Sequence, residues 1–127
     1  MRNLKIEKIQ QKLKDKKIDS LIINRTDEFL NEYIPPDAER LYWATDFSGS
    51  AGRAIICQNT SNLFVDGRYT FQAKEQIDKN AISLLHWNDF STELSKHFEK
   101  NKCVALDPML HSIEEVNKFF ELAKEKE

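Results

Sequence analysis

The chain is 127 residues long, with 40% hydrophobic and 31% charged residues and a formal net charge of -2. That length fits one domain, residues 1–127, large enough to bury a core without disulfides or a structural metal. The charge excludes bulk attraction to nucleic acid, no apolar run is long enough to span a membrane, and the basic start Met1-Arg2-Asn3-Leu4-Lys5 lacks the apolar stretch of a signal peptide, so the cytoplasm is the expected compartment.

Residues 3–17 predict an amphipathic helix. Ile6, Ile9 and Leu13 follow helical spacing, Asn3 is a suitable cap, and the lysines interleave with Glu7 and Asp15 as a solvated face. The apolar run within Ile18–Asn24 reads as a buried strand. Residues 25–37 are irregular, because Pro35-Pro36 stops any regular element. This loop carries Phe29, Tyr33 and Ile34, and loops of such length usually have a function. Asp37 is the expected cap of a short helix through Trp43.

Gly52–Gln58 and Asn62–Asp66 predict two strands joined as a hairpin by Asn59-Thr60-Ser61. A helix over 69–78, a strand over 82–85, a helix over 91–100 and a strand over 103–106 follow. Ser112 with Glu115 three residues on reads as a capping box that opens a helix running to the end. Cys57 and Cys103 each sit in an apolar run and read as buried thiols in a reducing compartment. The alternation of strand and helix after the hairpin favours an α/β fold with a mostly parallel or mixed sheet.

Four segments invite a chemical reading. Gly49-Ser50-Ala51-Gly52 has the look of a phosphate cradle, but the residues after Gly52 form a strand and supply neither the Lys-Ser/Thr pair nor the helix start that holds an anion. A tight small-residue turn with close backbone approach remains. Arg68 follows a strand and Gly67 and precedes a helix, so its planar fork is placed either for a carboxylate or carbonyl ligand or for an ion pair with Asp66 or Asp46. His86, His97 and His111 share no metal-ligand spacing and read as structural. Ser50 has no base beside it in any recognisable motif, so it is not read as a nucleophile.

Three stretches together resemble the N-terminal domain of Xaa-Pro aminopeptidases, the aminopeptidase P group of the creatinase/prolidase family. They are Glu32-Tyr33-Ile34-Pro35-Pro36, then Phe47-Ser48-Gly49-Ser50-Ala51-Gly52 with Ala54-Ile55-Ile56, then Asp66-Gly67-Arg68-Tyr69 with Gln72-Ala73. Each is weak alone, and their order and spacing make the combination specific. The resemblance implies a three-layer mixed sheet flanked by helices. It also implies a longer protein whose C-terminal pita-bread domain binds two divalent metals, usually manganese, and hydrolyses the bond before a proline at the second position of a peptide.

No such metal-ligand motif lies in this sequence, so the chain is expected to be a non-catalytic domain that shapes the substrate cleft and carries no cofactor itself. By resemblance Arg68 contacts the substrate peptide, while Gly49, Ser50, Ala51, Gly52, Asp66, Gly67 and Tyr69 serve as motif and structural residues. The expected partners are the C-terminal catalytic domain and a proline-containing peptide, with no nucleic acid and no membrane. The resemblance also implies that the full-length protein is a homodimer, formed largely through the absent domain. Arg53 departs from the pattern, which often has a small residue there. The alternatives are a peptidase-like binding module without activity and an unrelated enzyme built on an α/β domain.

Overall fold

The computed structural model of the chain describes residues 3–26, 29–30, 33–98 and 102–124. Helix α1, Leu4–Lys16, begins where Asn3 Oδ1 accepts the backbone N–H groups of Lys5 at 3.0 Å and Ile6 at 3.1 Å. These are two of the donors that a helix start leaves without partners. Asn3 is itself buried, and its Nδ2 donates to the Ala44 carbonyl at 2.8 Å, which ties α1 to its neighbour. The helix ends at Lys17, whose left-handed backbone (φ 58°) turns its N–H back to the Leu13 and Lys14 carbonyls.

Strand β1, Ser20–Asn24, comes next, followed after the proline segment by helix α2, Arg40–Thr45. Strands β2, Gly52–Cys57, and β3, Ser61–Val65, form the expected antiparallel hairpin. Helix α3, Thr70–Gln76, strand β4, Ser83–His86, helix α4, Phe90–His97, strand β5, Val104–Ala105, and helix α5, Ile113–Lys124, complete the order. The five strands lie in the order β4-β3-β2-β1-β5. The sheet is mixed: the β1–β2 and β2–β3 pairs are antiparallel, and the outer β3–β4 and β1–β5 pairs are parallel.

Period-two alternation divides the strands between two cores. Ala54, Ile56, Leu63 and Val65 face α1, α2 and α3, packing with Ile6, Leu13, Leu41, Ala44 and Ala73. Ile22, Ile55 and Phe64 face the other way, onto Phe90 and Leu94 of α4 and Phe119 of α5. This is the expected three-layer arrangement of a mixed sheet with helices on both faces.

Four expectations need correction. Asp37 caps no α-helix: Pro36–Ala38 form a separate 3-10 turn whose start is Pro35, and α2 starts only at Arg40. The strand expected over 103–106 shrinks to two residues, because only Val104 and Ala105 reach β1 before the chain turns at Pro108. As a result Cys103 lies before the strand and is exposed rather than buried, while Cys57 is half-buried at the end of β2. The Ser112–Glu115 box forms on one side only. Ser112 Oγ accepts the Glu115 N–H at 3.1 Å, but the Glu115 carboxylate is directed instead to His111, Asn24 and Arg53. The helix expected to reach residue 100 stops at His97, where Phe98 caps it, while the end of the helix expected to reach residue 127, and Glu32 of the proline segment, lie outside the described residues.

Candidate functional site

The two glycine-bearing motifs are far apart along the chain but interlock in space. Gly52 opens β2 and pairs with Val65, the last residue of β3, so the loop before β2 and the turn after β3 meet at one end of the central strands. Phe47, at 1% exposure, is the centre of the loop. A Cβ on Gly49 would lie 2.2 Å from the Phe47 ring and 2.9 Å from the Tyr69 ring, and one on Gly52 would lie 2.9 Å from Phe47. Neither glycine has a positive φ. Both are therefore required for space rather than for backbone freedom.

The turn after β3 is a short 3-10 segment, Gly67–Tyr69, capped by Asp66. Asp66 Oδ1 accepts the Arg68 backbone N–H at 3.0 Å and the Arg68 Nε–H at 3.1 Å. These bonds, the backbone one first, hold the Asp66 carboxyl below its usual range. Tyr69 packs its ring edge-on against Phe47, with centroids 6.0 Å apart, and its hydroxyl hydrogen-bonds the Ser50 hydroxyl. Arg68 Cζ lies 5.5 Å from the Tyr69 ring centroid. The Arg68 side chain is 74% exposed. The Arg68–Asp66 ion pair is thus formed, whereas Asp46 pairs with Lys5 at 2.9 Å.

A further clamp went unread in the sequence. Gln76 Oε1 accepts the Ser48 N–H at 2.9 Å, and the side-chain amides of Gln76 and Gln72 donate to Ser48 Oγ at 2.8 and 3.1 Å. Two glutamines four apart on the helix that follows the arginine turn were the available signal, since that spacing puts them on one face.

Beside the loop an open cleft of about 310 Å³ has Ser50, Ala51 and Gly52 on one wall and Asn24, Arg53, Trp87 and Glu115 among its other lining residues. Arg53, the departure from the family pattern, is built into this wall. Its guanidinium lies 4.8 Å from the Trp87 centroid and 4.5 Å from the Phe90 centroid, and pairs with Glu115 at 3.5 Å. Burial lowers its pKa, opposed by the Glu115 charge. Glu115 also meets His111 Nδ1 at 2.8 Å and Asn24 Nδ2 at 3.3 Å. The His111 hydrogen bond is the main reason that the Glu115 carboxyl lies below its usual range, against the opposing effect of burial.

The other two histidines also have structural contacts. His86 Nδ1 accepts the Asn88 N–H, and His97 Nδ1 lies 3.8 Å from Cys57 Sγ. Burial raises the Cys57 pKa, which keeps the thiol protonated. Arg68 does not line the cleft. A larger apolar cavity of about 470 Å³, bounded by Ile9, Leu21, Ile23, Trp43 and Leu110, is reached by Pro36 of the proline stretch but by neither glycine-bearing motif. Among the described residues no three His, Cys, Asp or Glu side chains gather as a metal site, and no helix is long and apolar enough to cross a membrane.

Comparison with known proteins identifies the fold and the family. The creatinase/prolidase N-terminal domain family matches residues 5–127. A probable Xaa-Pro aminopeptidase P from Aspergillus niger is 34% identical over 113 residues, covering 84% of this chain and 18% of that protein. The chain spans only 17% to 20% of the length of the curated relatives it matches. The crystal structure of an X-prolyl aminopeptidase from Caenorhabditis elegans, described as cytosolic with a di-nuclear active site, superposes with a TM-score of 0.79 at 24% identity, over 86% of this chain and 18% of that one. The N-terminal domain of the cytoplasmic peptidase PepQ from Mycobacterium tuberculosis superposes with a TM-score of 0.73 at 16% identity, over 98% of this chain and 88% of that one.

Proposed function

The chain belongs to the creatinase/prolidase N-terminal domain family, and from that premise we propose that it is the non-catalytic N-terminal domain of a metal-dependent Xaa-Pro aminopeptidase. In that role it forms one wall of the substrate cleft and offers Arg68 to a peptide with proline second. The observation that supports this reading is the interlock of the two motif stretches, which fixes a turn at the end of the central strands with the Arg68 side chain 74% exposed. An arginine fork so held can bind a peptide carbonyl or carboxylate.

Hydrolysis belongs to a catalytic domain joined to this one. Two divalent metal ions, manganese by family resemblance, would be held there by that domain's own Asp, His and Glu ligands. The full polypeptide would act in the cytoplasm as a homodimer. The polypeptide that joins this chain to its catalytic domain should release the first residue of an Xaa-Pro-Xaa peptide when manganese is supplied, and the 127-residue chain alone should release none. Release by the chain alone, or none by the joined polypeptide, would overturn the reading. A second reading, a peptidase-like binding module without activity, draws on the apolar cavity beside Trp43. Loss of the metal ligands from the adjoining sequence would favour it.

A further inference from the structure

We propose that Tyr69, held by the Ser50 hydroxyl, is a positioning residue for Arg68. The proposal rests on Arg68 being a substrate contact, and it concerns how that contact is kept in one orientation. A mostly exposed arginine has many rotamers, and immobilising such a side chain on binding costs rotamer entropy. A turn that restrains the guanidinium beforehand removes part of that cost.

The structure restrains it at both ends. Asp66 Oδ1 takes the Arg68 backbone N–H and the Nε–H together, which fixes the root of the side chain and one edge of the fork. The Tyr69 ring provides a face for the guanidinium carbon at 5.5 Å, within cation–π range. A ring serves as a platform only if its own plane is fixed, and Tyr69 is held at two points. Phe47 meets it edge-on at an interplanar angle of 79°, and Ser50 holds its hydroxyl.

Phe47 is buried and closely packed, with the backbones of Gly49 and Gly52 against its ring. Ser50 cannot drift, because Ser48 in the same loop is clamped by Gln72 and Gln76 of α3, the helix that Tyr69 leads into. Rigid core is thus connected to an exposed guanidinium through Phe47, Tyr69 and Arg68, with Ser50 as the lateral stop.

The test uses ¹⁵N relaxation of the Arg68 Nε–H in the 127-residue chain and peptide hydrolysis by the polypeptide that carries the catalytic domain. Ser50→Ala and Tyr69→Phe each delete one hydroxyl. Both should lower the Arg68 heteronuclear NOE toward that of a mobile side chain, and Ser50→Thr, which keeps a hydroxyl, should restore it. In the joined polypeptide Ser50→Ala should raise KM by about threefold to tenfold, the range one neutral hydrogen bond supplies, with kcat unchanged. An unchanged NOE in both variants overturns the positioning role, whatever Arg68→Ala does to hydrolysis. A lowered NOE with unchanged KM also overturns it as a device for substrate. If Arg68→Ala itself leaves hydrolysis unchanged, the reading beneath the proposal is what fails.

Discussion

At the scale of single residues the three glycines of the chain are not equivalent. Gly49 and Gly52 have no room for a Cβ, because the Phe47 and Tyr69 rings occupy that space. A Cβ on Gly67 would meet only His86 Nε2, at the ordinary distance of 3.7 Å. Gly49→Ala is therefore expected to force the buried Phe47 ring aside, at a cost of about 2 kcal/mol or more. For a domain of this size that lowers Tm by roughly 6–10 °C. Gly67→Ala should leave stability unchanged or raise it by about 0.5 kcal/mol, since alanine only removes freedom from the unfolded chain. Thermal unfolding of the two variants side by side checks this, and equal destabilisation would contradict it. In the sequence Gly49–Gly52 reads as a turn with close backbone approach, but the neighbour that crowds it is not legible there. Which glycine is crowded depends on where Phe47 packs, and that is a tertiary fact.

At the scale of elements, the parts legible in the sequence were those with strong local causes. The Asn3 cap, the β2–β3 hairpin and the split of α1 into an apolar and a lysine-rich face all follow from adjacent residues. Asp37 misled because a residue after two prolines reads as a cap, while the chain uses those prolines for a separate 3-10 turn. Cys103 misled because an apolar neighbourhood suggested burial, while β5 is an edge strand of two residues. Ser112–Glu115 was half legible. The local half formed, and the carboxylate went to His111, Asn24 and Arg53, partners between 4 and 91 residues away in sequence.

That diversion has a measurable consequence. Glu115 has a folded pKa below the ordinary glutamate value, so its stabilising contribution is complete above about pH 4.3 and is lost as pH falls through the lowered folded value. Glu115→Gln should cost about 1–3 kcal/mol near neutral pH, and the gap from the parent should narrow progressively below about pH 4. Urea midpoints across that range report it. A gap that stays constant down to pH 2 would mean that the carboxylate charge does not tie α5 to the ends of β1 and β2.

At the scale of the whole molecule, a three-layer sheet brings two distant motif stretches together at one end of its central strands, where the exposed Arg68 guanidinium is restrained by Asp66. The charge and hydropathy of the chain only excluded functions, whereas the paired motifs pointed to one. The contact network between them could not be read from spacing alone, because it passes through the Phe47 and Tyr69 rings and the Ser48–glutamine clamp. The direct measurement is kcat/KM for an Xaa-Pro-Xaa peptide in the polypeptide that carries the catalytic domain, with and without Arg68→Ala. Removing a charge-assisted hydrogen bond to substrate should lower kcat/KM by about tenfold to a hundredfold while the isolated domain keeps its Tm. An unchanged kcat/KM would contradict the assignment of Arg68 to the substrate.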